Sequence, residues 1–237
     1  MNLRLGKALL AAAAAFGQSP AFEVVSVKIS NAENTASDVQ RDPGGGIVLK
    51  NVNLRTLMLM AYNIQPFQLA GGPTWLRSKR FDIAARAPAG TRKDQTWVML
   101  QTLLAERFQL TVHKETRELP VFEMTLAKGG LKIQPAHRVT SPAEGGVTTF
   151  VGGMKASMAS MSSVALVLSG MLGHQVIDRT GVEGRYDFDF EYAPEGSDSG
   201  LPSIYSALQD RLGLKLETGK GPVEVIVIDR AELPAGN

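Results

Sequence analysis

Arg80-Phe81-Asp82-Ile83 returns as Arg185-Tyr186-Asp187-Phe188, and Ala87-Pro88 returns as Ala193-Pro194. The run Leu104-Ala105-Glu106-Arg107-Phe108-Gln109-Leu110 has its counterpart in Leu208-Gln209-Asp210-Arg211-Leu212-Gly213-Leu214, and Pro120-Val121 in Pro222-Val223. The offset drifts between 106 and 102 residues, as loop insertions and deletions would make it. The second half of the chain echoes the first in order, which implies one structural plan used twice. Packing alone explains such a plan, without any chemistry.

Outward from these copies, Lys79 to Arg86 and Arg185 to Tyr192 read as strands. Phe22 to Ile29 alternates, with Val25, Val27 and Ile29 on one face, and predicts a first strand. Ile47 to Leu49, Gln109 to His113, Val121 to Leu126, Gln175 to Ile177, Leu214 to Glu217 and Val223 to Ile228 add further strands. Helical spacing appears in Leu54, Leu57, Met58, Ala61 and Tyr62 behind the cap Asn53. It recurs in Trp97, Leu100, Leu103, Leu104 and Phe108 behind a Thr91/Asp94 start box. A third stripe runs from Met161 through Leu168 to Met171 and Leu172, and ends at Gly173. The fourth, Ile204, Ala207, Leu208 and Leu212, ends at Gly213.

The expected class is α+β: two similar repeats, each helix-strand-strand twice, with helices packed on mainly antiparallel sheet. The expected boundaries are a leader at 1–21, a first repeat at 22–134, a linker at 135–151 rich in Pro, Ser and Gly, and a second repeat at 152–237.

The leader reads as a secretory signal peptide. Arg4 and Lys7 precede the nine apolar residues Ala8 to Phe16, and Ser19-Pro20-Ala21 supplies small residues for cleavage after Ala21, with Gly17 as the other option. The apolar stretch is shorter than the roughly 20 residues a membrane span needs. A secreted or periplasmic chain without a transmembrane segment after cleavage is therefore expected. The leader holds two of the 25 Lys and Arg residues and none of the 23 Asp and Glu, which leaves 23 of each. Balanced charge offers no electrostatic footprint for nucleic acid or an anionic membrane. With no cysteine, disulfides, thiolate metal sites and cysteine nucleophiles are excluded. The fold must rest on its core.

Two further stretches carry a resemblance. Gly71-Gly72-Pro73-Thr74-Trp75-Leu76 followed by Arg80-Phe81-Asp82-Ile83 is one, and Asp178-Arg179-Thr180-Gly181-Val182-Glu183-Gly184-Arg185-Tyr186-Asp187 is the other. Together with Leu208 to Glu217 and the closing Val227-Ile228-Asp229, they resemble a large secreted "soil-associated" family, a domain of unknown function, from Phe22 to the C-terminus. The resemblance implies no established activity. Related domains stand behind membrane metallopeptidases of the BlaR1 type, which implies sensing or partner contact outside the membrane. This chain has no H-E-x-x-H and no S-x-x-K.

No catalytic constellation emerges from the residues. His113, His137 and His174 are separate and lie in no metal-ligand spacing. Asp187, Asp189 and Glu191 share one face of a strand whose other face carries Phe188, Phe190 and Tyr192. A hard cation would suit three such carboxylates, but a half-buried strand with aromatics inward and charges outward explains them better. Gly196-Ser197-Asp198-Ser199-Gly200 has an aspartate where a nucleophile elbow needs its serine. None of the glycine pairs and triplets has phosphate-loop spacing.

The surface candidates are the loop with Trp75 and Arg77 and its counterpart with Asp178 and Arg179. Trp75 is either a lid over its own core or an anchor for a partner. The Asp178–Arg179 pair is either a turn clamp or a polar recognition site. The expected function is a non-enzymatic module binding a protein or small ligand in the cell envelope, with no cofactor and no metal. The alternatives are an exported hydrolase or metal-dependent enzyme, and a freestanding sensor domain related to BlaR1-type regulators.

Overall fold

The computed structural model describes residues 20–31, 36–92, 94–136 and 145–234. The expected leader falls outside these residues except for Pro20 and Ala21, and so does His137. The described residues form two compact units, one within 20–62, 75–110 and 232–234 and the other within 63–74 and 111–231.

In the first unit, β1 (Val24–Ile29), β2 (Asp38–Arg41) and β3 (Ile47–Asn53) lead into helix α1 (Leu54–Tyr62). Further along, β5 (Arg80–Arg86) precedes helix α2 (Gln95–Arg107). The sheet has the antiparallel order β1-β5-β3-β2. Asn53 caps α1, its Oδ1 accepting the Thr56 N–H at 2.8 Å, as expected of that residue. The buried face of α1 is Leu54, Leu57, Met58 and Ala61. That of α2 is Thr96, Met99, Leu100, Leu103 and Leu104.

Trp97 was expected on this stripe but lies on its flank. Its half-buried ring carries the Arg41 guanidinium 5.1 Å from the centroid, a cation–π contact. The Thr91/Asp94 start box also differs. Asp94 is itself helical and makes no side-chain cap, and Gln95 Oε1 accepts the Arg92 N–H instead.

The second unit holds β4 (Leu69–Gly71), β6 (Thr111–Leu126), β7 (Gly146–Phe150), β8 (Gly153–Ala159), helix α3 (Met161–Leu172), β9 (Gln175–Asp178), β10 (Tyr186–Glu191), helix α4 (Ile204–Ala207) and β11 (Leu214–Arg230). Residues Leu208–Leu212 prolong α4 as a π-helical turn, and Gly213 ends it at φ 74° in the left-handed region. One sheet has the antiparallel order β10-β8-β7, and the other the order β4-β11-β6-β9. In the latter, β6 and β11 are antiparallel while β4 and β9 flank them in parallel.

Two corrections follow. The pairs of short strands expected around Pro120 and Pro222 are single strands of 16 and 17 residues. Pro120 pairs with Lys220 and Pro222 with Glu118. These positions have the same parity, so both proline nitrogens point away from the partner strand and the ladder loses no donor. The stretch 135–151 is not simply a connector. Pro135 bridges to Tyr186, and 146–150 is β7, because Val147 and its neighbours complete a hairpin with β8. The length of the β6–β11 ladder also carries 111–134 into the second unit.

Local geometry recurs at matching points. Leu49↔Ile83 and Val52↔Phe81 flank a bulge between β3 and β5, and Ala156↔Phe188 and Ala159↔Tyr186 flank one between β8 and β10. At each bulge a non-glycine residue takes positive φ: Asn51 at 56° and Met158 at 47°. Asp82 Oδ1 accepts the Asn51 N–H at 2.8 Å while Arg80 Nη1 donates to Asn51 O at 2.8 Å. Asp187 Oδ1 accepts the Met158 N–H at 2.6 Å while Arg185 Nη1 donates to Met158 O at 3.0 Å. The Arg-x-Asp signature is thus a clamp on a strained peptide one turn before a helix.

The second unit's core gathers Met124, Met154, Met161, Val164, Leu168 and Leu208 among others. Buried Ser169 ties it to β9: its hydroxyl donates to Ala165 O and accepts the Val176 N–H, both at 2.8 Å.

Candidate functional site

A cleft of about 710 Å³ opens in the second unit. Its floor is Phe122 on β6, with the His174 ring edge-on at 5.8 Å and the Tyr205 ring tilted at 6.0 Å. His174 follows the left-handed Gly173 that ends α3, so the chain reversal throws its imidazole beside Phe122. Tyr205 stands in the first turn of α4, which Ser203 caps by accepting the Ser206 N–H. Met171 and Leu172 continue the apolar stripe of α3 past the buried core and line the cleft wall.

The β7–β8 turn and the segment after β10 also line the cleft. Phe150 is 51% exposed and Val151 93% exposed, an apolar pair at a hairpin tip, where polar residues usually sit. Tyr192, Pro194 and Glu195 complete the rim. Burial pushes the Tyr192 phenol above its usual value. The cleft is therefore an aromatic and aliphatic surface edged by hydroxyls, one imidazole and one carboxylate.

Ser203 is engaged as a helix cap, and Glu195 is the cleft's one carboxylate among the described residues. Among the described residues, no group of three His, Asp or Glu side chains converges to hold a metal ion. His113 lies elsewhere, on the β6–β11 ribbon. Its Nδ1 meets Asp229 Oδ1 at 2.8 Å and its Nε2 faces Glu115 Oε2 at 3.5 Å. The Asp229 carboxylate, then Glu115, raise the imidazole's pKa. Both ring nitrogens are occupied by acids, which suits a stable imidazolium better than a base.

The residues singled out from sequence fall in two places. Trp75 and Arg77 belong to the first unit, Asp178 and Arg179 to the second. Trp75 sits in a 3-10 turn, half-buried, its ring edge-on to Phe81 at 6.3 Å. Phe81 in turn stands edge-on to Phe108 at 5.0 Å. Asp178 Oδ1 accepts the Thr180 N–H at 3.0 Å and the Thr180 hydroxyl at 2.7 Å, so it clamps its own turn. Arg77 and Arg179 are exposed, and Arg179 keeps Glu123 at 3.9 Å. These two guanidiniums are what those candidates present to solvent.

The acidic row stands as its alternation predicts. Asp187, Asp189 and Glu191 are exposed, while Phe190 is buried and Phe188 and Tyr192 half-buried. Phe150, Val151, Met171 and Tyr205 were not singled out as a site. An apolar pair in a glycine turn, Phe150-Val151-Gly152-Gly153, was the available signal.

A family model described as a protein of unknown function, DUF3738, matches residues 55–231. The chain belongs to the DUF3738 family. The match begins inside α1 and ends just after β11, so it takes in both the Trp75 turn and the aromatic cleft. No curated protein and no solved structure matches it. Among the described residues of this DUF3738 member, no helix is long and apolar enough to cross a membrane.

Proposed function

We propose that this DUF3738 protein is an exported, non-enzymatic binding module built from two copies of one α+β plan, and that the cleft around Phe122 and Tyr205 is where it holds its ligand. The observation that carries the reading is that cleft. Rings from β6, the end of α3 and the start of α4 converge there with exposed Phe150 and Val151. Concave apolar surface with a few polar groups at its rim is the usual form of a small-ligand site. A planar or apolar molecule would stack on Phe122 and Tyr205, with the tyrosine hydroxyls and Glu195 fixing its orientation.

The Arg4 and Lys7 leader and the absence of cysteine support export. The recurring register and the two Arg-x-Asp clamps support the duplicated plan. The resemblance to domains carried by membrane metallopeptidases supports a ligand-sensing role in the envelope.

Thermal-shift screening with aromatic cell-wall fragments and apolar peptides tests the cleft. Hits should raise the melting temperature of the native protein and lose that shift in Tyr205→Ala. Hits that survive Tyr205→Ala and Met171→Ala together would place the ligand elsewhere and end this reading.

A further inference from the structure

The two antiparallel sheets that carry the Arg-x-Asp clamps differ at one edge. In the first unit β5 is paired on both sides, with β3 and with β1. In the second, β10 is an edge strand paired with β8. The β1 ladder on β5 runs from Ile29↔Phe81 to Val24↔Arg86. Beyond that ladder's end, Ser30 donates its N–H to Arg80 O at 2.9 Å. Beside β10 the matching contacts among the described residues are two: Ala136 donates its N–H to Arg185 O at 2.8 Å, and Pro135 bridges to Tyr186.

Among the described residues, the stretch Asp187 to Glu191 therefore has an open side. Tyr192 donates its N–H to Gly152 O on the β8 side at 2.9 Å, so alternation turns the backbone groups of Glu191 and Asp189 the other way. That is the side β1 takes beside β5, where Glu23 donates its N–H to Arg86 O at 2.9 Å. Beyond the bulge the register on β8 is regular from Phe188 to Glu191, and the side chains beside the open edge are exposed carboxylates alternating with buried or half-buried rings.

We propose that β10 accepts an added antiparallel strand along Asp187–Glu191, and that its occupant is an extended segment of a partner protein with Lys or Arg at alternate positions and apolar residues between. The first unit supplies the template. Lys28 lies directly opposite Asp82 in the β1–β5 ladder, and Asp187 stands where Asp82 stands relative to its bulge. An incoming strand would place basic side chains opposite Glu191, Asp189 and Asp187 on the outer face. It would place apolar ones opposite Phe190 and Phe188 on the inner face. Main-chain hydrogen bonds to Glu191 and Asp189 would supply affinity, and the alternating side chains specificity. The Pro135 bridge sets the register by blocking the strand at Tyr186. This surface is separate from the cleft reading and stands or falls without it.

The test uses the full chain and the peptide Lys-Val-Lys-Val-Lys-Val, followed by amide hydrogen exchange and by titration. The peptide should slow exchange at the Asp189 and Glu191 amides and bind at least tenfold more tightly than its Glu-Val counterpart. N-methylating the peptide nitrogens on the pairing side should abolish binding while leaving every charge in place. Asp189→Lys with Glu191→Lys should weaken it at least tenfold. The proposal is overturned if N-methylation changes nothing, or if protection appears at other amides. It is equally overturned if those two amides are already protected in the free protein, which would mean the chain or a second copy closes the edge itself.

Discussion

Asp187 Oδ1 accepts the backbone N–H of Met158 at 2.6 Å, across the bulge that turns β8 toward α3. Met158 is held at φ 47°, a left-handed conformation that an unbranched side chain adopts at a cost of roughly 1–2 kcal/mol. Arg185 secures the other end of the same residue through its carbonyl. The pair therefore stabilises a peptide that would relax without it, and so aims Ser160 to cap α3 through the Ser163 N–H.

Replacing that carboxylate isolates the effect. Asp187→Ala removes the carboxylate acceptor of the Met158 N–H and should cost about 1–3 kcal/mol. Asp187→Asn, which keeps an acceptor oxygen, should cost less. Chemical denaturation of the three proteins measures this, and equal stability of Asp187→Ala and the native chain would contradict the clamp. Asp82→Ala should behave in the same way through Asn51.

Gly213 and Gln109 occupy matching places after α4 and α2, at φ 74° and 46°. A Cβ on Gly213 would press into Gly130 O, so Gly213→Ala should lose about 3 kcal/mol from left-handed strain and overlap together. Gln109→Gly should instead gain up to about 1 kcal/mol, reduced by loss of the Gln109 bond to Glu106 O. Opposite shifts in the denaturation midpoint are the expected result.

His113 predicts a pH signature. Its pKa is raised first by Asp229 and then by Glu115, so the folded state favours the imidazolium. The contact's stabilisation is complete below the unfolded imidazole value of about 6.5 and disappears as pH rises through the higher folded value. NMR titration should find the His113 midpoint above that reference, and Asp229→Asn should lower it. An unchanged midpoint in Asp229→Asn would remove Asp229 as the cause.

Trp75 caps the Phe81–Phe108 pair. Trp75→Ala should lower stability by about 2 kcal/mol, less than a fully buried tryptophan would because the ring is half-exposed. Arg77→Ala, next to it and exposed, should stay within about 0.5 kcal/mol. Thermal melts compare them. If Trp75→Ala melts with the native protein, the ring serves a partner and not its own core.

How much of this was legible in the chain depends on range. The stripe Leu54, Leu57, Met58, Ala61 and the caps Asn53, Gly173 and Gly213 were readable, because helix faces and helix ends are set by neighbours within four residues. The alternation of Asp187, Phe188, Asp189 and Phe190 was readable for the same reason. The echo of Arg-x-Asp was visible too, but its purpose was not. Asp82 acts on Asn51 and Asp187 on Met158, partners 31 and 29 residues away.

What the chain's own order determined is an α+β protein with helix ends at Asn53, Gly173 and Gly213, and a signature used twice. Its tertiary structure decided the rest: long strands running through Pro120 and Pro222, the parallel flanks β4 and β9, and a cleft drawn from β6, α3 and α4. Strand pairing and concavity arise between segments far apart in sequence, and their free energy depends on which backbone edges and apolar faces meet. Local pattern carries no record of that meeting. Phe122 and Tyr205 lie 83 positions apart as 205 minus 122, and only folding makes them neighbours.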